Sequence, residues 1–386
     1  MQNFDTVIER RGSHAMKWDG FAPVYQLEST EGILPMWVAD MDLAAPDFVI
    51  EAIKKRLEHP IFGYTHVDEA TNKAVQNWVK THHNYEITAQ DILFRSGVIP
   101  ALANAIEALT SVGDTILIST PVYHPFYFVP TNLNRKLATC SLHEENGHYT
   151  FDFTAFEEAL KTAQAYILCN PHNPGGMVWT KEDLQEIVRL CEKHNVLILS
   201  DEIHADLVFE GHSHTAIATL ANPKNVITFM APTKTFNLAS IQSAFMIVPD
   251  EENRQKINAV YAATGHGAIN VLAIEATRAA FEQGEAWRQD LLRYVEQNMD
   301  EVCTALNQLD GITAHKPNGT YLLWIDYRQT GLTEQEMMQR LLYTGKLALE
   351  PGTKYGEDGR GFLRMNLACS RATAREAIIR FTKSLA

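Results

Sequence analysis

Between about residue 90 and residue 250, short apolar runs rich in β-branched residues alternate with segments of helical periodicity. Thr115–Ser119 (TILIS), Ala165–Cys169 (AYILC), Val196–Leu199 (VLIL), Val226–Met230 (VITFM) and Ala244–Val248 (AFMIV) read as strands. Ala101–Leu109 reads as a helix, with Leu102, Ala105, Ile106 and Leu109 on one face and Gly113 past its end. A second helix begins after Thr180, which has capping-box spacing to Asp183, and Leu184, Ile187, Val188 and Cys191 form its apolar stripe. Strands that are apolar at successive positions, not at alternate ones, bury both faces. The pattern therefore predicts an α/β domain with a mainly parallel sheet between helical layers.

After Asn270 the pattern changes. One long helical stretch runs past Gly284 to about Leu309, followed by a β region at Tyr321–Ile325, further helices and a last strand near Phe362–Leu367. This predicts a smaller α+β domain. The first 45 or so residues carry little periodicity and are expected to form an arm that packs with the small domain or on a neighbouring subunit. A chain of 386 residues exceeds what one hydrophobic core usually serves. The expected division is an arm at 1–45, a large domain at 46–283 and a small domain at 284–386.

Composition narrows the partners. The formal net charge is −14 and is spread along the chain, which argues against nucleic acid or an anionic membrane, though a local basic pocket stays compatible. The five cysteines (Cys140, Cys169, Cys191, Cys303 and Cys369) are far apart and include no C-x-x-C pair. Neither a disulfide framework nor a structural zinc site is expected. With no apolar leader and no run of membrane-spanning length, the expected location is cytoplasmic.

Ligands of an open α/β sheet sit beyond the carboxyl ends of its strands. TILIS is followed by Tyr123, AYILC by Asn173 in Asn-Pro-His-Asn-Pro-Gly-Gly, VLILS by Asp201 and His204, and VITFM by Thr233 and Lys234. Taken singly, each has a plain account as a solvated lysine, a helix cap or a turn. Taken together on successive strand ends, they match what pyridoxal 5′-phosphate (PLP) needs. An amine, Lys234, forms the Schiff base with its aldehyde, and a buried carboxylate, Asp201, holds the charge of its pyridine nitrogen. Asn173 and His204 serve the phenolic oxygen, and Tyr123 stacks on the ring. The sequence Ser96-Gly97-Val98-Ile99-Pro100 opens the Ala101 helix and offers backbone N–H groups to the phosphate, with Thr233 adding a hydroxyl.

Three weaker signals are set aside. His212-Ser-His214 lacks a third ligand, so no metal is expected, and Gly265-His-Gly267 lacks the third glycine and preceding strand of a dinucleotide fingerprint. Asp40-Met-Asp42 is read as a structural turn, with an acid pair or cation site as the alternative.

The chain resembles the MalY/PatB group of fold-type I PLP enzymes, cystathionine β-lyase-like C–S lyases related to the class I and II aminotransferases. The resemblance rests on KWD (17–19), LPMWVADMD (34–42), FGYT (62–65), SGVIPAL (96–102), STPVYHPF (119–126), NPHNPGG (170–176), SDEIHADLVF (200–209), APTKTFNLA (231–239), NGTYLLW (318–324) and FLRMNLACSR (362–371). It implies a seven-stranded large-domain sheet and a homodimer in which Tyr64 reaches the phosphate in the adjacent subunit. It also implies that Lys234 is the Schiff-base lysine and the base at Cα, and that Gly97, Val98 and Ile99 form the phosphate cup with Thr233. Arg364 is placed on the substrate α-carboxylate, with Ala39, Tyr123 and Asn173 also facing substrate. The implied reaction is β-elimination of L-cystathionine and other S-substituted cysteines to a thiol, pyruvate and ammonia. An aminotransferase uses the same residues and is the alternative, and a MalY-like regulatory binding role is a possible addition. Met177 replaces a usual arginine, Ser240 a usual glycine and Ser370 a usual proline.

Overall fold

In the computed structural model, which describes residues 2–386, the apolar runs assemble into one seven-stranded sheet. Its strands are β1 (Ile92–Arg95), β2 (Thr115–Thr120), β3 (Lys136–Ser141), β4 (Ala165–Cys169), β5 (Leu197–Asp201), β6 (Val226–Met230) and β7 (Ala244–Ile247). The spatial order is β1-β7-β6-β5-β4-β2-β3. All neighbours pair in parallel except at β7, which runs antiparallel to both β6 and β1. The chain leaving β6 makes only short turns before β7, with no helix long enough to cross over the sheet, so it returns antiparallel.

Alternation within the apolar runs decides which side chain meets which layer. Ile116, Ile118, Ile167, Leu199 and Ile227 pack with α1 (Val98–Leu109) on one face. Leu117, Tyr166, Leu168 and Ile198 pack with α2 (Lys181–Lys193) on the other. The Thr180–Asp183 capping box forms as expected, and α1 begins three residues earlier than the periodicity suggests, at Val98.

A one-turn helix, α3 (Pro232–Thr235), follows β6, and the single long helix expected past Gly284 is corrected to two, α4 (Val271–Gln283) and α5 (Glu285–Leu306). Asn270 caps α4 by accepting the Ala273 N–H. At Gly284, between the two helices, a Cβ would lie 2.2 Å from the Ala280 carbonyl oxygen and 2.4 Å from the Phe236 ring, so only a glycine fits there.

A second, four-stranded sheet holds β8 (Thr313–Ala314), β9 (Leu322–Asp326), β10 (Glu350–Pro351) and β11 (Phe362–Asn366), in the order β8-β9-β11-β10 and antiparallel throughout. Leu323, Ile325, Leu363 and Met365 share a core with Val295, Met299 and Val302 of α5 and Phe381 of α6 (Arg371–Leu385). The opposite face carries Trp324 and Arg364, which are register partners. Ser370 caps α6 by accepting the Thr373 N–H. Met177 packs at the edge of the α2 core, and Ser240 is exposed in a short turn.

The N-terminal segment pairs Leu34–Pro35 in parallel with Leu347–Ala348, and Phe4 packs edge-on against Trp287. The Asp40–Asp42 turn is tied to this segment by ion pairs. Asp42 receives Lys17 Nζ at 2.6 Å and Arg10 Nη1 at 2.6 Å, and Lys17 is wholly buried. Burial alone would raise the Asp42 pKa, but Lys17, Trp18 and Arg10 outweigh it and hold the carboxyl below its usual range. No described helix is long and apolar enough to cross a membrane.

Candidate active site

The strand order reverses direction between β2 and β4, and the crevice at such a switch point is where an open α/β sheet takes its ligand. The register brings the neighbouring ends level, since Asp201 lies opposite Cys169 on one side and Phe229 on the other. A cavity of about 250 Å³ opens there, lined by Tyr123, Asn173, Asp201, His204 and Lys234 from the strand ends. Ala39 and the Gly97–Pro100 start of α1 close it.

Lys234 sits in α3, whose first position is Pro232, a residue pre-set for the opening turn of a helix. Its Nζ donates to the Ala39 carbonyl oxygen at 2.6 Å. Burial, followed by the charge of Arg364, lowers its pKa to about 8, against the opposing pull of Asp40, Asp201 and Glu350. At neutral pH an appreciable fraction of this amine is free base.

Asp201 ends β5, and its Oδ1 accepts the Ile203 N–H at 3.1 Å. Burial drives its pKa up to about 7, with the Ile203 bond and Lys234 resisting. A carboxyl kept in this position suits a bound group that carries a buried N–H⁺. His204 is pushed down to about 3 by burial, Lys234 and Arg364, so its imidazole is neutral, and its Nδ1 is buried without a partner. Tyr123 is pushed up to about 12 by burial and then Asp201, and its ring is fixed edge-on against Phe126 at 5.8 Å.

At the other end of the cavity, α1 presents its first N–H groups, which have no acceptor within the helix. Gly97 has extended backbone, and a Cβ there would lie 3.3 Å from Pro100 Cδ, so the glycine keeps the helix mouth open. An anion is stabilised at such a terminus by the N–H groups and the helix dipole together.

Arg364 lies mid-strand in β11 and is 2 % exposed. It does not line the cavity itself, but its Nη1 donates to Asn173 Oδ1 at 3.0 Å and its Nη2 to the Trp37 carbonyl oxygen at 2.8 Å. Thr233 lies beside Lys234 in the same turn but outside the cavity wall, and Tyr64 is fully exposed and not brought to the cavity of its own chain. Sequence reasoning missed Cys169 and Ile203, which also line the cavity. Both adjoin residues it chose, Cys169 as the last residue of a strand and Ile203 two positions past Asp201. Glu350, which pairs with Arg364, left no local signal.

Of the two set-aside histidines, His212 faces the Asn318 amide nitrogen at 3.1 Å and His214 has an acidic partner. His214 meets Glu202 at 2.8 Å and His83 meets Asp206 at 2.9 Å, and no metal-binding cluster occurs among the described residues. The donors at the cavity do fit PLP. They comprise an amine of lowered pKa, a buried carboxyl with no fixed cation bonded to it, a buried histidine nitrogen in want of a partner, an aromatic wall and a helix N-terminus.

The aminotransferase class I and II family model matches residues 33–381. Cystathionine β-lyase PatB of Bacillus subtilis is 41% identical over 99% of this chain and 100% of its own. A solved structure of a PLP-bound putative aminotransferase from Clostridium difficile has a TM-score of 0.97 at 39% identity, covering 100% of both chains. Cystalysin from Treponema denticola, whose structure contains pyridoxal 5′-phosphate, has a TM-score of 0.95 at 32% identity, covering 100% of this chain and 99% of the other.

Proposed function

Since the chain belongs to the aminotransferase class I and II family, in its MalY/PatB group, we propose that it is a PLP-dependent carbon–sulfur β-lyase. Its substrates are L-cystathionine and related S-substituted cysteines, cleaved to a thiol, pyruvate and ammonia. One observation carries the cofactor assignment: the Lys234 amine, the buried Asp201 carboxyl and the N-terminus of α1 open on the same cavity. The lyase assignment is supported by the activity of the relative that matches the chain from end to end.

In this reading PLP supplies an aldehyde that condenses with amines and a protonated ring that accepts the electron pair released at Cα. Lys234 would hold the aldehyde at rest, and its Nζ would be the base that removes the Cα proton during turnover. Asp201 accepts the ring N–H and keeps that proton in place. Asn173 and His204 would serve the phenolic oxygen and Tyr123 the ring face, while the Gly97–Ile99 amides, with Thr233 beside Lys234, would hold the phosphate. Arg364 binds the α-carboxylate and so orients the Cα–H bond, with Ala39, Tyr123 and Asn173 completing the substrate wall.

A homodimer belongs to the same proposal. Tyr64 is fully exposed, and Ile61 and Phe62 beside it are exposed as well, which supports a partner subunit covering this segment and receiving Tyr64 at its phosphate. The five buried, unpaired cysteines support a reducing, cytoplasmic location.

Purified protein incubated with L-cystathionine and no keto acid is expected to release pyruvate and free thiol together. The second reading, an aminotransferase, is favoured by the likeness to the Clostridium difficile protein, which bears an aminotransferase name. It would show as amino transfer to an added keto acid with no thiol released, and that result would sink the lyase assignment.

A further inference from the structure

Glu350 is 3 % exposed, and the second sheet places it directly opposite Arg364 in the β10–β11 register. Both side chains therefore emerge on the same face as cross-strand neighbours. The carboxylate forms an ion pair with Arg364 Nη2 and accepts hydrogen bonds from Lys354 Nζ and the Tyr355 hydroxyl. The guanidinium also sits over the Tyr355 ring, 5.0 Å from its centroid. Burial would raise the Glu350 pKa, but Arg364 and Lys354 outweigh it and keep the group ionised.

A guanidinium has five N–H donors in a rigid plane. Nη2 is taken by Glu350 and the Trp37 carbonyl, while Nη1 gives one N–H to Asn173, which lines the cavity. The Nη2 edge is thus anchored away from the cavity, and the Nη1 edge beside Asn173 is the one presented to a ligand. Nε is buried with no partner, so the side chain is not held from that side.

We propose that Glu350 is a positioning residue for the substrate α-carboxylate, fixing the plane of Arg364 from behind while Tyr355 and Lys354 fix Glu350. The proposal rests on the assignment of Arg364 to the α-carboxylate and goes beyond it. Without the anchor, Arg364 keeps its charge but rotates about its side chain, and the free Nη1 N–H beside Asn173 no longer points at the carboxylate.

The test titrates the cofactor-loaded protein with L-alanine, which has the carboxylate but no leaving group, and with ethylamine, which lacks the carboxylate. The readout is the change in cofactor absorption. Glu350→Gln is expected to raise the alanine Kd roughly tenfold, the worth of about one charge-assisted hydrogen bond, and to leave ethylamine unchanged. Tyr355→Phe, which keeps the ring beneath Arg364, is expected to raise it about threefold with the same selectivity. It also serves as the second variant should Glu350→Gln fail to fold. Unchanged or tighter alanine binding, or equal weakening of both ligands, would overturn the proposal. Arg364→Gln separates the premises. If it leaves the preference for alanine over ethylamine intact, the Arg364 assignment falls. If it abolishes that preference while Glu350→Gln leaves the preference undiminished, only the role of Glu350 falls.

Discussion

Replacing Asp201 by Asn is expected to make the cofactor-free protein more stable at alkaline pH while destroying its ability to serve the cofactor. Asp201 is 4 % exposed, and burial raises its pKa from 3.8 to about 7. A carboxyl with a raised folded-state pKa binds its proton more tightly folded than unfolded. Its contribution is fully present below the unfolded pKa and is lost as pH rises through the folded value. Between pH 5 and pH 7 the folded form keeps a proton that the unfolded form has released, which costs about 1.4 kcal/mol per pH unit. The gap between variant and wild type should therefore shift by about 3 kcal/mol in favour of the variant from pH 5 to pH 8, most of it below pH 7. Asn keeps an oxygen to accept the Ile203 N–H, so the comparison isolates the charge. Urea unfolding of cofactor-stripped protein at closely spaced pH values measures the gap. Parallel stability curves for the two proteins across this range would refute the reasoning. With PLP bound, the order should invert, because the ring N–H⁺ then compensates the carboxylate in the wild type alone.

Lys234→Ala is expected to lose the visible absorption of the bound cofactor and to lower elimination by at least about 10²–10⁴-fold, the usual worth of a positioned base, as followed by pyruvate release. Gly284→Ala forces a Cβ into the space held by Ala280 and the Phe236 ring, two residues from Lys234. Urea unfolding should show a loss of about 1–3 kcal/mol from that overpacking, and an unchanged midpoint would contradict the close approach. Asp42→Ala leaves Lys17 buried without its nearest carboxylate and should cost about 3–5 kcal/mol at pH 7. Because the Asp42 pKa is lowered in the folded state, its contribution is present above the unfolded carboxyl pKa and lost as pH falls through the folded value. The difference between wild type and this variant should accordingly shrink on acidification.

The apolar runs at residues 115–119, 165–169 and 226–230 were legible as buried parallel strands because their pattern is local and both their faces are covered. The same locality exposed Tyr123, Asn173, Asp201 and Lys234, since each follows such a run by a few residues and the topology of an open sheet sends all of those ends to one edge. The glycine requirement at Gly284 was hidden because the ring it must clear, Phe236, is 48 positions away in the chain and invisible to a helical period. Arg364 shows the division most clearly. Its residue type and motif marked it for a carboxylate, but burial, the bond to Asn173 and the plane of its guanidinium come from neighbours on other strands and loops. Glu350 had no signal in its own segment at all, because its partner is set by the antiparallel register of two strands joined through the Gly352–Tyr355 turn. A sequence determines the chemistry available at each position through local pattern. Which charges meet, how far burial moves their pKa values and which edge of a guanidinium faces the ligand depend on contacts between distant segments, and these exist only once the chain has folded.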